Sequence, residues 1–214
     1  MKNNISKLLS LSLGKQLSSD NWESFVYELG NDFVYKEIKT EHKLTSNTTH
    51  LSERITLQRF WCSDTHYKNT LHDFEIIYQE LNEWVPETYI IRAPAKFSNN
   101  PSAIVTIQKR IRGKLLKDLP DYSSPSLNNL SKEVERVCKN IFNAPLDFHP
   151  SNIMIEESSN KVIFFDFGTP SDWQYFLNAK KLQEAIEISI SEAEAFVTFM
   201  TPIHQAHWDK LKLI

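Results

Sequence analysis

Two aspartates and an asparagine stand close together in the last third of the chain. They lie in Asp147-Phe148-His149-Pro150-Ser151-Asn152-Ile153-Met154-Ile155 and Val162-Ile163-Phe164-Phe165-Asp166-Phe167-Gly168. Asn152 follows Asp147 by five residues and Asp166 follows Asn152 by 14, across two apolar runs that read as a short hairpin. Carboxylate and amide oxygens are the ligands that hard divalent cations such as magnesium prefer. A carboxylate can also orient a hydroxyl group and take its proton. Aspartate and asparagine are equally at home as turn residues, so the chemistry depends on whether the fold makes these three converge.

The elements that would position them follow from the hydrophobic pattern. Leu8–Leu17, Ser24–Leu29 and Phe33–Ile38 read as three strands, with Ser18 to Asn21 and Gly30-Asn31-Asp32 as turns. The polar stretch Thr40–Glu53 reads as a loop or insertion. Leu71, Phe74, Ile77, Tyr78 and Leu81 recur at helical spacing and predict a helix over Thr70–Trp84. Tyr89–Ala95 and Ala103–Lys109 read as two more strands, and Ser126–Phe142 as a second helix. Asn152–Glu156 and Lys161–Phe165 form the hairpin, and Asp172–Phe199 is mostly helical. Only four glycines occur, Gly14, Gly30, Gly113 and Gly168, so each marks a place where backbone geometry matters.

In this order of elements, and above all in residues 147–168, the chain resembles the protein-kinase-like superfamily, which includes protein kinases, aminoglycoside phosphotransferases and bacterial sugar kinases. The family's catalytic loop reads H-R-D-x-x-x-x-N and its metal-binding motif D-F-G; Asp147, Asn152 and Asp166-Phe167-Gly168 match them. The resemblance implies an α+β, bilobal fold. A five-stranded antiparallel sheet with one helix would form an N-lobe over 1–109, hinged near Gln108–Gly113. A reduced, mostly helical C-lobe would occupy 110–214. It also implies ATP and magnesium as cofactors, with Asn152 and Asp166 as metal ligands and Asp147 as the residue that orients the acceptor hydroxyl and takes its proton. Lys36, in Phe33-Val34-Tyr35-Lys36, stands where the family's third strand carries a phosphate-binding lysine. Its carboxylate partner on the following helix would be Glu75, with Glu80 the competitor about 140° further round. His149 would touch phosphate or acceptor, or else pack beside Pro150 and bond to backbone. Backbone groups around Gln108 and Arg110 would read the adenine edge.

Three departures stand beside the match. The segment at the place of the glycine-rich loop, Leu13 to Trp22, has one glycine, so Ser18, Ser19 and Asn21 would have to supply the phosphate donors. Pro145 replaces the catalytic-loop histidine, a residue that braces the loop and does no chemistry. After Gly168 only 46 residues follow, with no A-P-E motif, in outline like short bacterial kinase-like proteins and effector-type kinases.

Bulk composition narrows the alternatives. A formal net charge of -3 gives no reason to expect nucleic acid or an anionic membrane as partner. The basic cluster Lys109, Arg110, Arg112 and Lys114 reads as a solvated surface. No run of about 18 apolar residues is present to span a bilayer. No secretory signal is evident, which makes the cytoplasm the expected compartment, delivery into another cell apart. Cys62 and Cys138, 76 residues apart and without ligand spacing, read as ordinary reduced thiols. The expected activity is transfer of the ATP γ-phosphate to a hydroxyl, with a protein Ser or Thr preferred. A small alcohol of the sugar or aminoglycoside kind, a nucleotide-binding pseudokinase and transfer of AMP are the other readings.

Overall fold

The computed structural model describes residues 2–18, 24–39, 50–97 and 99–211, without the side chains of 2–4 and 18. The chain folds as two compact units, residues 1–67 with 87–110, and residues 68–86 with 111–214. The class is α+β, as the sequence indicates.

The first unit is built on a five-stranded sheet. It contains β1 (Leu13–Ser18), β2 (Ser24–Leu29), β3 (Phe33–Ile38), β4 (Thr88–Ala93) and β5 (Ala103–Lys109). The order is β1-β2-β3-β5-β4 and every pair is antiparallel. Gly30, at φ +57°, makes the tight connection that brings Leu29 opposite Phe33. Period-two alternation in β3 sends Tyr35 and Glu37 inward, and Lys36 projects to the other face between Val26 and Thr106. Tyr35 joins Leu29, Ala93, Ala103, Val105 and Ile107 in the core. Glu37 is 0% exposed, and three donors meet its carboxylate: Tyr35 Oη at 2.6 Å, Lys96 N at 2.7 Å and Phe97 N at 3.3 Å. Burial, together with Glu37, holds the Tyr35 hydroxyl well above its ordinary value.

Two local expectations are corrected here. Leu8 to Leu17 is not one strand: α1 (Lys2–Leu9) precedes β1. Leu8 and Leu9 are adjacent apolar residues, which a strand would send to opposite faces, whereas both pack against this unit's core. The polar stretch ending at Glu53 runs into a second helix, α2 (Leu51–Trp61), which buries Thr56, Leu57 and Phe60 at helical spacing. Residues 40–49 of that stretch lie outside the described residues.

The second unit takes most of α3 (Asp64–Leu81), which begins six residues earlier than its apolar pattern suggests and ends at Leu81. It continues with β6 (Gly113–Leu115), α4 (Pro125–Val137), β7 (Ile153–Glu156) and β8 (Val162–Phe164). Three further helices follow: α5 (Trp173–Phe176), α6 (Ala179–Ile186) and α7 (Ile190–Lys210). The strands form a small antiparallel sheet in the order β6-β7-β8. Helix α4 starts where Ser124 Oγ accepts from the Leu127 amide with Pro125 in the first turn, a favourable N-terminus. Leu127, Leu130, Val134 and Val137 turn its buried face to a core shared with Ile77, Leu81, Leu146, Phe148, Ile153 and Phe164. Its regular turns stop at Val137, earlier than expected, and a wider turn over Cys138–Phe142 ends at Asn143, at φ 49°.

Gly113 has a separate reason to be glycine. A Cβ there would lie 2.1 Å from the Ile155 carbonyl oxygen, inside the β6–β7 pairing. Backbone on both sides cannot yield cheaply, so Gly113→Ala is expected to destabilise the chain by about 2–3 kcal/mol. Urea unfolding measures this; an unchanged midpoint would mean that β6 is not paired to β7 in solution.

Candidate active site

The segment 143–152 is shaped by what lies on either side of it. The left-handed Asn143 reverses the chain, and the Leu146 amide donates to Cys138 Sγ at 3.2 Å. That thiol is buried and pushed up to about 11 by its burial, an inert acceptor rather than a nucleophile. Leu146 and Phe148, each 1% exposed, anchor the loop in the core and leave Asp147 between them, one-third exposed. Phe148 packs edge-on against Phe164, and Phe164 against Phe167.

Asp147 and Asn152 do converge. Asn152 Nδ2 donates to both the main-chain carbonyl and Oδ2 of Asp147, each at 2.9 Å. With both amide hydrogens spent there, the amide offers its Oδ1 as an acceptor. Two main-chain bonds bring in the third residue. The Asp147 amide donates to the Phe167 carbonyl at 3.1 Å, and the Phe165 amide donates to the Asn152 carbonyl at 3.0 Å. Asp166 is therefore carried between two residues that are each tied to the loop. Gly168 sits at φ +69°, and a Cβ there would meet Asp147 Cβ at an ordinary 3.6 Å. Conformation, not space, is what calls for glycine at this position.

The other oxygen of Asp147 faces two imidazoles. His149 Nε2 and His207 Nδ1 each lie 3.5 Å from Oδ1. His149 Nδ1 accepts from the Ser151 amide at 3.2 Å, which places the proton of a neutral ring on Nε2, toward Asp147. Burial works to raise the Asp147 carboxyl, but His149, His207 and Asn152 outweigh it and leave the group below its usual value. His207 is lowered in turn, chiefly by burial, with Asp147 opposing.

One face of α3 holds the segment that follows Gly168. Asn69 Nδ2 donates to Asp172 Oδ1 at 2.8 Å, and Thr70 and Thr169 hydroxyls meet at 3.2 Å. Asp73 accepts from both the amide and the hydroxyl of Ser171, and Phe74 stacks on Phe167. Asp73 is 1% exposed, and burial pushes its carboxyl up to about 6 against the two donors of Ser171. Because the folded value is raised, this group's stabilising contribution is complete below its unfolded value near 4 and is lost as pH rises through about 6. Between pH 4 and pH 7.5 the unfolding free energy of the wild type is expected to fall, relative to Asp73→Asn, by up to about 3 kcal/mol. Parallel curves for the two proteins in urea unfolding across that range would show that Asp73 titrates normally.

The remaining sequence-derived residues fall as follows. Lys36 lies in the first unit, on β3, and is half-buried. Glu75 is exposed on α3, two residues and about 200° round from Asp73. Glu80 pairs with Arg136 at 2.6 Å. Gln108 Nε2 donates to Thr88 Oγ1 at 3.1 Å, and Arg110 pairs with Glu28 at 2.9 Å. The Lys109 and Arg110 amides are committed within the first unit, to the Glu87 and Asp32 carbonyls. Gly14 lets Glu28 approach closely, since a Cβ would lie 2.9 Å from its Oε2. Ser19 and Asn21 lie outside the described residues, as does the Ser18 side chain.

Two residues escaped the sequence reading. Asp73 carried a readable signal, since it stands four residues before Ile77 on the apolar face of α3. His207 carried none, because nothing local ties position 207 to position 147.

No protein-family model matches the chain, and no curated protein sequence matches it. Among solved structures it is similar to WbdD crystallised with a kinase inhibitor, at TM-score 0.43 and 15% identity, covering 86% of this chain and 45% of that one. It is similar to the PK-1 kinase of Cydia pomonella granulovirus at TM-score 0.42 and 14% identity, covering 78% and 55%. A further structure, described as the bifunctional kinase-methyltransferase WbdD, gives TM-score 0.40 and 16% identity, covering 82% and 42%. The chain thus spans about half the length of these solved chains. Among the described residues no helix is long and apolar enough to cross a membrane.

Proposed function

We propose that this chain is an ATP- and magnesium-dependent phosphotransferase with an alcohol oxygen as acceptor. One observation carries the reading: the Asn152 amide is held by Asp147 through its nitrogen, and the same loop is bonded on both sides of Asp166. The amide oxygen of Asn152 and the Asp166 carboxylate would supply a hard, two-residue donor set. Among the described residues no group of three or more His, Cys, Asp and Glu side chains is arranged to hold a metal. A sparse set of this kind suits magnesium, which keeps several waters and takes its other ligands from phosphate. Bound magnesium–ATP supplies the phosphoryl group and neutralises charge as it is transferred.

The chain's own groups then have distinct tasks. Asn152 and Asp166 would hold the metal, and Lys36 would bind phosphate oxygens. Asp147, kept anionic by its neighbours, orients the acceptor hydroxyl and receives its proton. A protein Ser or Thr is the acceptor class we assign. Pure protein incubated with magnesium and γ-labelled ATP, beside Asp147→Ala, tests the whole reading. Label on protein in the wild type alone supports a protein acceptor. Turnover that needs added small alcohols reassigns the acceptor, and turnover equal in the two proteins rejects the site. Nucleotide bound with no turnover would make the chain a pseudokinase.

A further inference from the structure

We infer that His207, from the C-terminal helix α7, is a positioning residue that fixes the Asp147 carboxylate; this rests on the functional reading above. Asp147 Oδ2 is already oriented by Asn152, at 2.9 Å. A single hydrogen bond to one oxygen restrains the carboxylate only loosely about its Cα–Cβ and Cβ–Cγ bonds, and a second contact, on Oδ1, narrows that swing at the oxygen left for an acceptor hydroxyl. His207 Nδ1 and His149 Nε2 approach that oxygen at 3.5 Å each. His149 comes from the same loop, whereas His207 comes from 60 residues further along the chain. Only the second can tie the orientation of the carboxylate to the packing of another element.

The His207 ring is built into place. It meets Trp173 edge-on, with centroids 5.5 Å apart, and Trp173 also meets His204 at 4.7 Å. His204 Nε2 accepts from Trp208 Nε1 at 3.2 Å, so its neutral ring carries the proton on Nδ1. Trp173 is buried directly after Asp172, the residue that Asn69 of α3 holds. Packing of Phe196 against Phe176, with Met200 also buried, seats α7 on the α5 segment. The imidazole is thus held at its side by Trp173 with its Nδ1 3.5 Å from Asp147 Oδ1, an arrangement suited to restraining the carboxylate that meets the acceptor.

Two substitutions separate the ring from its nitrogen. His207→Phe keeps an aromatic ring against Trp173 and removes the polar contact. His207→Asn gives up the ring and returns an amide nitrogen near the place of Nδ1. With magnesium and γ-labelled ATP, His207→Phe is expected to lower kcat by about 10–100-fold with KM for ATP within about twofold, and His207→Asn to recover most of the loss. Urea unfolding of Asp147→Asn, His207→Phe and the double variant supplies a readout that needs no activity. Non-additive midpoint shifts are expected for residues in contact. Additive shifts overturn the inference, because the contact is then absent in solution. Non-additive shifts with full turnover in His207→Phe overturn it too, leaving a packing contact only. A wild type without any turnover rejects the proposed function, and coupling that persists there marks His207 as purely structural.

Discussion

Asp147→Asn is expected to lower the proposed phosphoryl transfer by about 10²–10⁴-fold, the range for loss of a positioned acid–base group, and to leave magnesium–nucleotide affinity within a few-fold. Asparagine preserves the shape. Its side-chain oxygen can still accept from Asn152 Nδ2 and its main-chain bond to Phe167 is untouched, while its amide nitrogen puts a donor opposite the Nε2 proton of His149. What disappears is the negative charge and the capacity to take a proton. Loss of turnover can therefore be read as chemistry rather than unfolding. Steady-state kinetics beside nucleotide titration followed by calorimetry make the comparison. Full turnover in Asp147→Asn would remove Asp147 from the mechanism, and equal loss of binding would show that the loop had collapsed.

Asp166→Ala has the opposite signature. It removes one of two proposed protein ligands from the metal, and magnesium-dependent nucleotide binding is expected to weaken by more than about 100-fold, beyond what loss of an outer-sphere partner costs. The main-chain ties at Phe165 and Phe167 do not involve the Asp166 side chain, so the loop itself persists. Calorimetric titration with ATP, with magnesium and again with a chelator, separates the effects. The wild type should lose affinity when the metal is removed, and Asp166→Ala should bind equally weakly in both conditions. A variant that keeps the full magnesium dependence would place the metal elsewhere. Together the two expected outcomes would divide the candidate site into a group that acts on the acceptor and a group that holds the nucleotide's metal.

Much of this was legible in one dimension. The strands β2, β3 and β5 are local events, set by alternation and by a positive-φ glycine at the turn, and their bounds match the sequence reading. The convergence of Asp147, Asn152 and Asp166 is local as well. A hairpin of fixed length and two main-chain bonds close the distance, so spacing alone carries the information. Helix ends were less legible. Thr56 and Ser63 absorb their own polar groups by bonding along α2 and at the start of α3, which hides helix inside a polar stretch.

Residue order alone brings Asp147, Asn152 and the segment carrying Asp166 together across one short hairpin, and sets an antiparallel sheet before them. Their surroundings come from packing between distant elements: Asp73, not the exposed Glu75, is the carboxylate α3 buries, and α7 returns an imidazole to Asp147. The physical reason is range. Backbone bonding and side-chain period act over a few residues and leave a mark in the order of residue types. The pairing of Asp73 with Ser171, or of His207 with Asp147, is chosen by which helix faces bury together, and no periodicity along the chain records it.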